Sequence, residues 1–336
     1  MRKLLNKKTI LLIIVLIIAF TFTSCLKIPI ELYGYIDKNG DWVIEPYYHK
    51  ALPSSEGMLA VRAGEEGYGK WGFIDHEGNI LIDLIYDEVG LFIDGVAPVM
   101  ELDEDEKEVW HFIGMDGARA IDKDYGGALS FSEGLAAVQS LEEATEGLWG
   151  FIDIAGNWII QPEYADASSF SEGLAMYLEG AGSAGVAGYI DKTGEVVIEA
   201  RYTYARNFKD GYAAVKLSPD TNREDWGYIN KAGEIVIDFS YGFAKQFSEG
   251  LAPVFIGDTI KGSWAYINMN NEIAIPAGLS EAFSFSEGLA AIQTEIAAGS
   301  NWGYIDKEGN LVLGGKYAAA SDFKEGIAPV GVIADR

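Results

Sequence analysis

The chain contains one cysteine and three histidines in 336 residues. A single thiol builds no internal disulfide framework and no cysteine-based zinc site. Basic residues are scarce too: 25 Lys and Arg stand against 51 Asp and Glu, a formal net charge of −26. A nucleic-acid partner requires a basic footprint to neutralise phosphates, so no nucleic acid is expected. Helical periodicity is absent beyond the N-terminus, as are a GxSxG elbow, a P-loop and a strand-borne GxGxxG. His49, His76 and His111 lie far apart without HxH or HExxH spacing, so no metal site is expected. The acidic run Glu101 to Glu108 lacks the glycine and ligand order of an EF-hand loop and reads as a solvated loop tip. Aromatics at 12% exclude a disordered acidic chain, and a packed core is expected.

The N-terminus has its own logic. Arg2, Lys3, Lys7 and Lys8 precede an apolar run from Ile10 to Phe22, the pattern of a secretory signal helix over 1–24. The alternative is an uncleaved signal anchor. The run ends in Phe22-Thr23-Ser24-Cys25, which resembles the bacterial lipobox with Phe in place of the usual aliphatic residue. That resemblance implies lipidation of Cys25 and anchoring on the extracytoplasmic face of a bacterial membrane, with 25–32 as a short tether. Cleavage would remove four basic side chains and no acidic one, so the remaining surface would be repelled by anionic headgroups and the lipid must hold it.

The rest is one unit written eight times. Openers at Tyr33, Trp71, Trp110, Trp149, Ala187, Trp226, Trp264 and Trp302 are 38 or 39 residues apart. An Ile follows three positions after each opener, and a Gly seven positions after, with Asn271 in the seventh copy. Asp or Asn before that Gly can bond the backbone two residues on, while Gly supplies a positive φ, so each opener begins a β-hairpin. A Tyr, a Phe and an acidic-Gly pair come next, as in Tyr164, Phe170 and Glu172-Gly173, and then a third strand of the type Leu251 to Val254. Ser54 replaces the Phe in the first copy. Opener and acidic residue are 23 positions apart in every copy, so length varies only in the connectors between units.

The pattern resembles the WG repeat family, also called KWG repeats. Its motif stands in full at Trp71 to Asp75, Trp149 to Asp153 and Trp302 to Asp306; His111 and Ala265 replace the Gly, Ala187 the Trp and Gly114 the Asp elsewhere. The resemblance implies a β-repeat array over 33–336 and no catalytic residues.

Three evident strands per unit suit an all-β, open, curved superhelical stack of hairpins; the alternative is a closed eight-bladed β-propeller. A carboxylate present in every unit serves something every unit shares, and backbone N–H bonding in the turn is the expected service. The repeated aromatics are expected in the core. Trp42 and Trp158 fall outside the repeat register, at a position otherwise held mostly by Ile or Val, and are the candidate ligand contacts. These features point to a non-catalytic, lipid-anchored binding or scaffold module, without cofactor, that meets a protein or cell-wall polysaccharide through its inter-repeat loops. The alternatives are a carbohydrate-binding or carbohydrate-active surface protein, and a spacer.

Overall fold

The computed structural model describes residues 29–64, 69–180, 185–217, 225–257, 262–294 and 301–335. The expected signal segment over 1–24 and the expected lipidation site Cys25 lie outside the described residues. Contacts divide the chain into Leu32–Val332 and a small unit of 1–31 with 333–336. The fold below is that of Leu32–Val332.

Each repeat opens with the hairpin that the sequence implies. In the second, Lys70–Ile74 pairs antiparallel with Ile80–Tyr86. Asp75 Oδ1 accepts from the amides of Glu77 and Asn79 at 2.9 and 2.8 Å, and Gly78 takes φ +84. Asn271 takes the same left-handed conformation at φ +62. The Gly after the opener has a separate cause. The register slips between Trp71↔Tyr86 and Phe73↔Ile82, a bulge that brings the partner backbone close. A Cβ on Gly72 would stand 2.6 Å from the Ile82 carbonyl oxygen, and one on Gly150 2.6 Å from that of Ile160.

The third strand does not complete its own repeat. Leu59–Ala63 of the first repeat pairs with Lys70–Ile74 of the second and, on its other edge, with the two-residue strand Lys50–Ala51. A four-stranded antiparallel sheet, or blade, therefore joins the end of one repeat to the hairpin of the next. We number blades by the repeat that supplies the hairpin. Twice the last strand of a blade runs on as the first strand of its successor: Val196–Ala205 pairs with blade 5 at Ile198↔Tyr189 and with blade 6 at Ala205↔Val215, and Ile273–Ala282 does the same for blades 7 and 8.

The first hairpin, Pro29–Asp37 with Trp42–Tyr48, has no earlier third strand to receive. It takes the last one: the sheet order is Trp42–Tyr48, Pro29–Asp37, Ile327–Asp335, Ala319–Ala320. Eight blades result among the described residues, and each of eight apolar clusters is shared by two successive blades. Trp71, Phe73 and Tyr86 of blade 2 meet Phe92, Ala97 and Val99 of blade 3. At the junction of the chain's two ends, Tyr304, Leu313 and Tyr317 of blade 8 meet Ile36, Ala328 and Val330 of blade 1. Tyr35 and Ile327 of blade 1 then meet Leu59, Val61 and Ile74 of blade 2. An open stack of eight sheets has seven interfaces, so the expected open array is corrected to a closed ring of propeller type. The physical reason is the offset: a third strand that needs the next hairpin leaves the last third strand and the first hairpin for each other.

Packing on both faces explains the burial pattern. The two middle strands of a blade are buried continuously, as at Leu59, Ala60 and Val61, whereas the last strand alternates beyond its first residue, with Ile82 and Tyr86 buried and Leu81, Asp83 and Ile85 exposed.

Candidate functional site

The eight acidic-Gly pairs form two-residue hairpin turns. Ser55 and Met58 exchange both backbone bonds around Glu56 at φ +54 and Gly57 at φ +74, a type I′ turn. The acidic residue has φ between +52 and +56 in every copy. That conformation costs a non-glycine residue about 1–2 kcal/mol, and the carboxylate bonds across blades act against this cost. Glu56 accepts from the amides of Asp94 and Gly95 in the next turn at 2.9 and 3.0 Å. Glu133 accepts from Gly173, Glu172 from Gly211, Asp210 from Gly250, Glu249 from Gly288 and Glu287 from Gly326, at 2.7–3.2 Å. Glu325 closes the circuit on Gly57 at 3.0 Å. Asp94 alone makes no such bond among those described. The carboxylates thus serve a shared structural end, but between turns rather than within one.

Serines beside these turns also cross between blades. Ser55, Ser132, Ser171 and Ser286 donate to the carbonyls of Phe92, Phe170, Phe208 and Phe323 at 2.6–2.7 Å. A serine reaches so little that successive backbones here lie much closer than the roughly 10 Å between packed sheets. The turns therefore gather where the blades converge.

A lysine covers half of these carboxylates. Lys192 Nζ lies 3.0 Å from Glu133 Oε2 and donates to the Glu133 carbonyl at 2.9 Å. Lys231 on Glu172, Lys307 on Glu249 and Lys38 on Glu287 repeat the arrangement. Each lysine sits five positions after an opener, on the hairpin of the following blade. Partial burial alone would raise the Glu133, Glu249 and Glu287 carboxyls, yet the lysine and the turn amide hold them below the ordinary glutamate range.

At Glu325 the covering residue is His76, with Nε2 3.9 Å from Oε2. The ring closure adds Ser54, whose Oγ is 3.0 Å from His76 Nε2 and donates to Glu325 Oε2. A serine, a histidine and a carboxylate from three repeats thus meet. The sequence signal for this cluster was Ser54 in a position otherwise held by Phe, though the pairing spans 271 residues. Its geometry does not activate a nucleophile. Serine and glutamate both face the same imidazole nitrogen, whereas a triad needs the acid on the opposite one, and the serine proton goes to the carboxylate. The Gly57 amide, which could stabilise an oxyanion, is already bonded to Glu325.

Trp42 and Trp158 are half-buried. Trp42 meets Tyr317 edge-on at 6.4 Å, and Trp158 meets Tyr125 in the same way at 6.4 Å. Both lean onto the preceding blade as packing residues. His111 is buried beside Glu101, and desolvation, reinforced by Arg119, lowers its pKa. Among the described residues no group of three or more His, Cys, Asp or Glu is placed to hold a metal ion. The expected loop tip at Glu101–Glu108 is exposed throughout and turns at 103–107, while its two ends belong to the strands Val96–Leu102 and Glu108–Gly114, which pair out to Leu102↔Glu108. Five of the seven inter-repeat connectors, expected to carry partner contacts, include residues outside those described. One open groove of about 620 Å³ runs between blades 4 and 5, where Glu163, Glu179 and Glu199 surround Tyr164 and Tyr177.

A family model described as "WG containing repeat" matches residues 33–66, 71–103, 149–180, 188–218, 226–259, 264–295 and 302–332, more than half of the chain. The chain belongs to the WG-repeat family. The repeat opened by Trp110 lies outside the matched segments, in keeping with His111 and Gly114, yet its strands pair as the others do. No curated protein matches the WG-repeat chain. Among solved structures, it is similar to the β-propeller domain of the trilobed protease from Pyrococcus furiosus, at TM-score 0.51 and 11% identity, over 80% of this chain and 98% of that one. It is also similar to a prolyl endopeptidase, at TM-score 0.58 and 11% identity, over 98% of this chain and 59% of that one. At such identities the likeness concerns the fold alone.

Proposed function

We propose that this WG-repeat ring is a non-catalytic binding module, exported and held on the extracytoplasmic face of a bacterial membrane by lipid on Cys25. Its partner is a protein or cell-wall polysaccharide. The observation that carries the reading is the fate of the repeated carboxylates: seven of eight are bonded to the amides of the next turn, so the recurrent chemistry is spent on closing the ring. What differs between repeats is exposed side chains, which is what recognition uses. The test is a pulldown and glycan array with residues 26–336, with and without calcium, beside membrane fractionation of Cys25→Ser. Saturable capture of one partner class without turnover, and loss of membrane retention in Cys25→Ser, are expected. Retention of Cys25→Ser in the membrane would replace the lipid with an uncleaved anchor.

A second reading, a carbohydrate-active or other hydrolase, has one observation in its favour, the 3.0 Å contact of Ser54 and His76. Covalent labelling by a fluorophosphonate that disappears in Ser54→Ala would establish it against the geometry above.

A further inference from the structure

The turn circuit is regular except where lysine is missing. Four carboxylates carry lysine and one carries His76, but the residues that take the covering position at Glu56, Asp94 and Asp210 are Met115, Ile154 and Met269. No ion pair involves Glu56, Asp94 or Asp210 among the described residues. The substitution at Met269 stands alone. Those at Met115 and Ile154 fall on consecutive blades and leave two exposed side chains, at 47% and 48%, beside two consecutive uncompensated carboxylates.

The apolar surface continues onto blade 2. The Gly117 turn that carries Met115 packs on Ile82, with 3.5 Å from its ideal Cβ position to Ile82 Cγ2. Ile80 and Leu81, immediately before Ile82, are 61% and 47% exposed. Met115 and Ile154 thus take the covering positions over Glu56 and Asp94, and the exposed Ile80 and Leu81 lie on the strand against which the Gly117 turn packs.

We propose that this face of blades 2–4 docks a polypeptide segment that places a lysine or arginine beside aliphatic side chains. The proposal rests on the reading of the ring as a binding module. The chain itself supplies the template for the charge: at Glu133, Glu172, Glu249 and Glu287 an ammonium binds both the carboxylate and the carbonyl of the same residue. At Glu56 and Asp94 the chain offers a methyl group instead, and a partner's cation takes the equivalent place. A strongly acidic surface is repelled by anionic lipid. A sugar ring favours aromatic platforms, whereas this patch is aliphatic. A basic, aliphatic protein segment meets both the charge and the surface.

The test uses the full chain in detergent and a labelled 12-residue peptide of alternating Lys and Leu, with counterparts in which Glu replaces Lys or Ser replaces Leu. Fluorescence anisotropy reads affinity, and the methyl resonance of Met115 in methyl-labelled protein reads location. The Lys/Leu peptide is expected to bind and to shift Met115, and both counterparts to bind at least tenfold more weakly. Met115→Lys with Ile154→Lys copies the sibling repeats and should fold, yet weaken binding at least tenfold. Met115→Ser with Ile154→Ser, which leaves charge unchanged, should weaken it at least fivefold. Glu104→Gln with Asp105→Asn makes the same change in net charge on a remote connector and should alter affinity less than twofold. Equal binding by the Lys/Lys variant, or an effect of the remote pair as large as that of the patch, would overturn the docking surface. If the wild-type ring captures a natural partner and the Lys/Lys variant captures it equally, only this surface fails; if the wild type captures nothing, the binding reading itself fails.

Discussion

Tyr241 donates its hydroxyl proton to Asn271 Oδ1 at 2.5 Å, across the interface between blades 6 and 7. Asn271 stands where the other repeats have Gly. The equivalent hydroxyls of Tyr125 and Tyr317 are buried and have no hydrogen-bond partner among the described residues, and the turn residues facing them are Gly156 and Gly40.

The pair suggests a transplant. A Cβ at Gly40 would lie 3.5 Å from Tyr317 Oη and 3.1 Å from Leu313 Cδ2, the movable end of a side chain. Asn tolerates a positive φ, so Gly40→Asn is expected to leave stability unchanged or raise it by up to about 1 kcal/mol. Gly40→Ala, with the strain and without the bond, should lower it. Gly156→Asn should cost about 1–3 kcal/mol, because its Cβ would stand 2.6 Å from Ile121 Cγ2. Urea midpoints of the three variants check the order; a Gly40→Asn variant weaker than Gly40→Ala would refute it.

Phe170 separates core from circuit. It is buried and packs on Phe151 at 4.8 Å in the cluster shared by blades 4 and 5. Phe170→Ala is expected to cost about 3–5 kcal/mol and to raise hydrogen exchange first in those two blades. Glu172→Gln keeps an acceptor for Gly211 but loses the charge facing Lys231, and should cost less, by an amount similar to Glu249→Gln. Loss of a binding activity at one of these glutamates alone would return the circuit to the list of functional sites.

Much of this was legible in the sequence and some was not. The hairpin register, the Asx turn at Asp75 and the left-handed Gly78 follow from local chemistry, and local chemistry is written in adjacent residues. Closure is not local. The offset that pairs Leu59–Ala63 with the next repeat looks the same in an endless stack as in a ring, and the fourth strand hides in two residues, Lys50–Ala51. Glu56 in a type I′ turn was hidden as well, since glutamate is a poor residue for φ +54 until Asp94 and Gly95 supply its partners. The Ser54–His76–Glu325 cluster exists only because the ends meet.

Acid should loosen the circuit. The depressed carboxyls of Glu133, Glu249, Glu287 and Glu325 bind fewer protons in the folded state than their unfolded value of about 4.3 allows. Their stabilisation is complete above that value and is lost as pH falls through the lower folded values. Asp322 has the opposite sign: burial raises its pKa despite Lys324, Lys245 and Lys209 nearby, so stability is lost as pH rises from its unfolded value through the higher folded one. Urea midpoints should therefore fall below about pH 4.5, and Asp322→Asn should raise the midpoint at pH 7. A lower midpoint in Asp322→Asn would mean that its lysine contacts outweigh its desolvation.

The last prediction distinguishes a ring from a stack. In an open array the final strand is an end, and removing it frays one repeat while its neighbours persist. Here Ile327–Asp335 lies between Ala319–Ala320 and Pro29–Asp37, and its residues Ile327, Ala328 and Val330 fill the clusters on both sides of blade 1. Ending the chain after Gly326 would strip the first hairpin of its inner neighbour and open both clusters to water. It would also expose two strand edges able to pair with other chains. The expected result is loss of a single cooperative unfolding transition and concentration-dependent association. Adding the segment 327–336 as a separate peptide should restore the monomer. A truncated chain that stayed monomeric and lost no more stability than one repeat's share would show that the ends do not hold each other.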